Sequence, residues 1–190
     1  MNTRQDSWQI GTLAVLVLVG LAAIVATAQI TMKGNPVTLA GTPVAVGDRA
    51  PDFTALDGSF QPVSLGDFKG KTVLISVVPS LDTRVCSLQT KRFHEELAKL
   101  PAGVVVMTIS MDLPFAQKRF CGQEDIADMV VVSDSARREF GEAYCVLSAE
   151  RGLLARSFFV VDEVGVVRYA QIVPEITQEP DYDAALAAVR

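Results

Sequence analysis

Hydrophobic and polar positions fall into three kinds of pattern along the chain. Residues 8–30, WQIGTLAVLVLVGLAAIVATAQI, form an apolar run without a charged residue, long enough to cross a bilayer as a helix. Residues 72–78, TVLISVV, are a shorter continuous run rich in β-branched side chains, which predicts a strand buried on both faces. After Pro79 the period changes. Val85, Leu88, Phe93, Leu97 and Leu100 recur at roughly helical spacing among polar residues, predicting a helix of about four turns that ends near Pro101.

The alternation continues to the C-terminus. GVVVMTIS (103–110) reads as a strand, PFAQKRF (114–120) as a short helix, DMVVVS (128–133) as a strand and SARREFGEAY (135–144) as a helix. SFFVVD and GVVRYAQIV flank the tight turn EVG as an antiparallel hairpin, and DYDAALAAVR closes the chain as a helix. Strands alternating with helices predict a three-layer α/β domain around a central mixed sheet. Ligands in such sheets sit at the carboxyl ends of strands, and Cys86 lies just past one such end.

Before this domain, residues 31–50 are rich in Gly, Pro and Thr, which suits a linker with room for a short hairpin. The expected division is a membrane anchor or signal segment over 1–30, a linker over 31–46 and the folded domain over 47–190. The apolar run exceeds the usual core of a cleaved signal, which favours a retained anchor. Cleavage near Ala28, after the small-x-small pattern ATA, is the alternative. The flanking charges, Arg4 and Asp6 before the run and Lys33 after it, orient the segment only weakly, with the bulk of the chain outside the cytoplasm.

Composition narrows the function by exclusion. A chain of 190 residues, 49% hydrophobic, can bury one good core. Its net charge of −5 and the lack of any Lys/Arg block argue against a nucleic-acid partner. Three scattered cysteines, Cys86, Cys121 and Cys145, form neither a disulfide framework nor a zinc cage, and there is no C-x-x-C. No metal site and no cofactor are expected.

Cys86 falls in the first turn of the predicted helix, where the dipole and unpaired backbone N–H groups favour thiolate. Bringing a cysteine from its reference value of about 8.5 to about 6 needs about 3.4 kcal/mol, whereas a helix dipole supplies at most about 2. A cation or donor must help. The only histidine, His94, lies eight residues along the same helix, about 12 Å up its axis, so it is read as a partly exposed helix residue and the helper as an arginine together with the Thr83 hydroxyl.

Pro79, Thr83 and Cys86 fit P-x-x-x-T-x-x-C, and here the chain resembles the peroxiredoxins, their thiol peroxidase branch in particular. "PSLDT.VC", "DLPFAQKRFCG", "GLLAR", "VPEITQEPDYDAAL" and "GNPVTLAG" all resemble that branch, in order, over residues 34–189. The resemblance implies a thioredoxin-like fold and a thiol-dependent peroxidase without a cofactor. Cys86 would be the peroxidatic thiolate that attacks a hydroperoxide, Thr83 would orient the peroxide, Arg156 would stabilise the thiolate and Pro79 would shield the pocket. Read without the resemblance, Thr83 is a helix cap, Pro79 a strand stop and Arg156 a surface strand residue.

Cys121, in RFCG, matches the branch's resolving cysteine, implying a Cys86–Cys121 intrachain disulfide. A disulfide needs Cα atoms within about 7 Å, so joining residues on two helices implies local unwinding of a helix over 114–121, capped by Pro114 and Gly122. The resemblance also implies re-reduction by thioredoxin or a thioredoxin-like protein, and a homodimer. Two positions depart from the branch: Cys145 stands where glycine is usual, read as a buried spectator, and Arg84 replaces a small residue or proline. The competing functions are a membrane-tethered thioredoxin-like disulfide oxidoreductase and a metal-delivery module. The first wants a second cysteine at position 89, which is Gln, and the second wants one at position 90, which is Thr.

Overall fold

The computed structural model describes residues 29–39, 41–126 and 128–189. A two-residue hairpin of β1 (Thr31–Met32) and β2 (Asn35–Pro36) precedes a second hairpin of β3 (Thr54–Asp57) and β4 (Pro62–Ser64). A 3₁₀ turn, Leu65–Phe68, leads into β5 (Thr72–Val77), α1 (Arg84–Leu97), β6 (Val104–Ser110), α2 (Pro114–Gln123) and β7 (Val130–Ser133). Then follow α3 (Glu139–Ala143), the hairpin β8 (Leu147–Ser148) and β9 (Leu153–Leu154), the hairpin β10 (Ser157–Val161) and β11 (Val167–Ile172), and α4 (Tyr182–Ala187).

Seven strands make one mixed sheet in the order β11-β10-β5-β6-β7-β3-β4. β5, β6 and β7 are parallel neighbours, while β10 and β3 pair antiparallel at either side of them. Period-two geometry sends the continuous apolar run of β5 to both faces. Val73, Ile75 and Val77 pack on one side with Met107, Ile109, Phe140 and Tyr144. Leu74 and Val78 pack on the other with Phe93 of α1, Phe120 of α2 and Leu186 of α4. The sheet is therefore the middle of three layers, and β5 and α1 join at the carboxyl end of a central strand.

Several boundaries differ from those the sequence predicts, each for a local reason. The helix expected over 135–144 is confined to Glu139–Ala143 because Arg138 takes a left-handed φ of 60° at its N-cap. The carboxylate of Asp134 reaches past that turn to accept from Phe140 N (3.1 Å) and Gly141 N (2.8 Å). α2 runs through Gly122 to Gln123, so Gly122 is not its cap; Asp125, with φ 53°, provides the left-handed turn instead, and Ile126 N donates to Cys121 O at 2.9 Å. Cys145 occupies the same position after α3. Its φ is 53°, Cys145 N donates to Glu142 O and Val146 N to Gly141 O, the paired bonds of a left-handed helix terminus, where glycine is the least strained residue.

Among the described residues, no helix is long and apolar enough to cross a membrane. The apolar segment expected to do so lies, up to residue 28, outside them. The stretch that follows it is docked against the domain: Thr31 N donates to Pro174 O (2.7 Å), Ile176 N to Thr31 O (2.8 Å), and Val37 is buried.

Candidate active site

The sheet register and the first turn of α1 bring Cys86 to the junction of β5 and α1. Thr83 is the N-cap, Cys86 is the third helical residue and its side chain is fully buried. Ser80 Oγ and Leu81 N both bond to the Asp112 carboxylate at 2.7 Å, which fixes the loop between β5 and α1 against the end of β6. Pro79 is buried in that loop.

Two donors meet at the Cys86 sulfur. Thr83 Oγ1 lies 2.8 Å from Sγ and 3.0 Å from Ser80 O, and it caps no backbone N–H of the helix. A hydroxyl has one proton. Given to Ser80 O, it leaves a lone pair for an S–H; given to sulfur, it stabilises a thiolate. Arg156 Nη2 is the second donor, 3.3 Å from Sγ.

Arg156 is 2% exposed. It sits one residue before β10, which pairs antiparallel with β5, so Ser157 lies opposite Val77 at the strand end next to the cysteine loop. Its guanidinium is held on three sides: Nε donates to Ile176 O (2.8 Å), Nη1 to Gln89 Oε1, and Nη2 to Cys86. A buried charge is tolerated when bonded and paired, and each hydrogen-bonding edge of this fork has an assigned partner.

Gln89 is the residue that sequence reasoning missed. It lies three positions after Cys86, on the same face of α1, is fully buried, and donates its Nε2 to Ser76 Oγ at 2.8 Å. A glutamine one helical turn from Cys86, on the buried face that also carries Phe93, was the available signal.

Cys121 lies on α2 and is half-buried, and all three cysteines are free thiols. Burial pushes the Cys121 thiol above its ordinary value, partly opposed by a backbone hydrogen bond, so it is held as a thiol. α2 is tied down by ion pairs from Lys91 to Glu124 (2.9 Å) and from Arg119 to Asp82 (3.2 Å). His94 lies in the last turn of α1, Arg84 is exposed at its first position, and Cys145 is buried with its Sγ 3.6 Å from Glu142 O. No group of three or more potential metal ligands occurs among the described residues.

A single buried thiol under a guanidinium and a hydroxyl, at the mouth of a helix on a mixed sheet, defines a thiol-based redox enzyme. The redoxin family model matches residues 45–186. The chain is 51% identical over 162 residues to a thiol peroxidase of Listeria monocytogenes, covering 85% of this chain and 98% of that one. It is 53% identical over 163 residues to a thiol peroxidase of Bacillus subtilis, covering 86% and 97%. A crystal structure of a peroxiredoxin-like protein from Aquifex aeolicus superposes with TM-score 0.79 at 45% identity, over 85% of this chain and 95% of that one. A thiol peroxidase from Chromobacterium violaceum (TM-score 0.75, 20% identity, 83% and 93% coverage) shares the fold. The chain belongs to the thiol peroxidase family of the peroxiredoxins, and is an oxidoreductase.

Proposed function

We propose that the chain reduces hydrogen peroxide and organic hydroperoxides through Cys86, resolves the product with Cys121 and is recharged by thioredoxin or a thioredoxin-like protein. The paired donors on Cys86 Sγ, Thr83 Oγ1 and Arg156 Nη2, are the observation that carries this reading. They stabilise negative charge on sulfur and, once a peroxide enters, are placed to bond its oxygens as charge passes from sulfur to the leaving oxygen. Pro79, buried in the loop before α1, would shield the thiol from solvent.

In the first step the Cys86 thiolate attacks the terminal oxygen of ROOH. The O–O bond breaks, and with one proton the products are Cys86–SOH and ROH. In the second, Cys121 sulfur displaces hydroxide from Cys86–SOH, giving the Cys86–Cys121 disulfide and water. Both thiols pack around one apolar cluster on the same side of the sheet, and α2 opens to join them. A dithiol reductant then returns both cysteines to thiols.

The assay is peroxide consumption with thioredoxin and its reductase. Wild type is expected to turn over, Cys86→Ser to be inert, and Cys121→Ser to undergo one oxidation that thioredoxin reverses poorly. Unaltered turnover in Cys86→Ser would remove the assignment.

The same reading includes an anchor over 8–30 that holds the domain outside the cytoplasm and a homodimeric assembly. The length of the uncharged apolar run supports the first. A domain that proteases cannot reach in spheroplasts overturns that topology, and a monomeric mass at micromolar concentration overturns the dimer.

A further inference from the structure

Arg156 is placed by the turn after β11. Val173 N donates to Arg156 O (2.9 Å), and Ile176 O accepts from Arg156 Nε (2.8 Å). The Ile176 peptide is in turn held from the N-terminal side of the chain, because its N–H donates to Thr31 O at 2.8 Å.

One carboxylate gathers this junction. Glu175 accepts from Thr31 Oγ1 (2.9 Å), Lys33 N (2.9 Å), Gly34 N (3.0 Å), Thr177 N (3.1 Å) and Thr177 Oγ1. Lys33 and Gly34 have φ values of 52° and 75°, the twin left-handed residues of a two-residue hairpin turn, and both of their amides donate to the carboxylate. The Thr177 hydroxyl and the Gly34 amide, foremost among these donors, hold Glu175 well below the usual carboxylate range.

We propose that Glu175 is a positioning residue for the peroxidase reaction: by pinning the β1–β2 hairpin to the 173–177 turn, it fixes the Ile176 carbonyl and hence the Arg156 guanidinium over Cys86. The inference rests on the reading of Arg156 as the group that activates Cys86. It gives the hairpin a part in catalysis although none of its residues touches the sulfur. The relay has three links, Glu175 to the hairpin, the hairpin to Ile176, and Ile176 to Arg156, each of them a hydrogen bond of 3.0 Å or less. Misplacing a donor by a fraction of an ångström is enough to slow the chemical step while the fold persists.

The test uses the full-length chain and measures two half-reactions separately: Cys86 oxidation by hydrogen peroxide, and thioredoxin reduction of the preformed disulfide. Glu175→Gln presents an amide NH₂ to donors that need an acceptor, and is expected to slow oxidation about tenfold while leaving disulfide reduction unchanged. Glu175→Asp, which keeps the charge, is expected to recover most of that loss. In an Arg156→Met background, Glu175→Gln should cause no further fall, because the relay has lost its end point. Wild-type oxidation in Glu175→Gln, an equal fall in both half-reactions, or a full additive loss in the Arg156→Met background would overturn the proposal. If Glu175→Gln does not fold, Thr31→Val removes only the hydroxyl that Glu175 Oε2 (2.9 Å) and Pro174 O (3.2 Å) share and leaves the Lys33 and Gly34 amides on the carboxylate; a few-fold loss confined to oxidation supports the relay and an unchanged rate refutes it. Wild type that fails to react with peroxide counts against the activity itself, an outcome separate from these.

Discussion

The guanidinium of Arg156 and the sulfur of Cys86 lie 3.3 Å apart, Nη2 to Sγ, in a site where both residues are withdrawn from solvent. They are 70 residues apart in sequence and meet because β10 lies beside β5 in the sheet. In water such a contact would be worth little; under burial the guanidinium's charge acts on sulfur with little screening.

Arg156→Met is therefore expected to slow Cys86 oxidation by about 10²-fold or more, the scale of losing one preorganised donor. Arg156→Lys keeps the charge and is expected to recover only part of it, because an ammonium lacks the planar fork that serves Ile176 O, Gln89 Oε1 and Cys86 together. Stopped-flow oxidation with a sulfenic-acid trap measures both.

Thr83 gives a cleaner contrast. Thr83→Ser retains the hydroxyl and should stay within a few-fold of wild type, whereas Thr83→Val removes the 2.8 Å contact to sulfur and should lose about 10²-fold in the same measurement. Equal rates for the two variants would leave the hydroxyl with only a packing role.

Gly122 lies inside α2, and a Cβ added there would meet nothing within 4 Å. Gly122→Ala should stabilise the helix by up to about 1 kcal/mol, which slows opening up to about fivefold. Slower formation of the Cys86–Cys121 disulfide, with more sulfinic acid at high peroxide, is the expected result by mass spectrometry. Unchanged resolution would mean that α2 does not open on the way to the disulfide.

Burial raises the Asp134 carboxyl to about 6, against the pull of the Gly141 and Phe140 amides, with the charges of Glu139 and Glu142 adding to the rise. The folded chain thus binds this proton at higher pH than the unfolded chain does. The group's contribution to stability is complete below about pH 4 and is lost as pH rises through about 6. Asp134→Asn cannot titrate, so its melting temperature relative to wild type should climb between pH 4.5 and 7.5. A constant difference across that range would contradict the assignment.

How much of this was legible in the sequence depended on distance along the chain. Pro79, Thr83 and Cys86 are neighbours on one strand-loop-helix unit, so their spacing alone brought them together. Arg156 was legible only through the resemblance, since no local pattern says that β10 will lie against β5. Gln89 was in plain view three residues after Cys86, yet its role depends on Arg156 arriving from the other side of the sheet. The helix ends were misjudged for the opposite reason. Glycine is the usual left-handed terminator, but Asp125 and Cys145 take that conformation while Gly122 remains helical, and the residue type concealed the turn. The two-residue strands β8 and β9 are too short to show any period.

Asp125 ends α2 in the left-handed conformation, with φ 53°, a region that suits glycine better than any residue with a side chain but that aspartate adopts as a single residue. In the proposed cycle, unwinding the last turn would release that strain, and Gly122 just inside it is, after proline, the weakest helix former the turn could hold. If the proposed resolution step takes place, the segment carrying Cys121 would serve as a latch on a shallow detent, closed by two ion pairs and a few packed side chains.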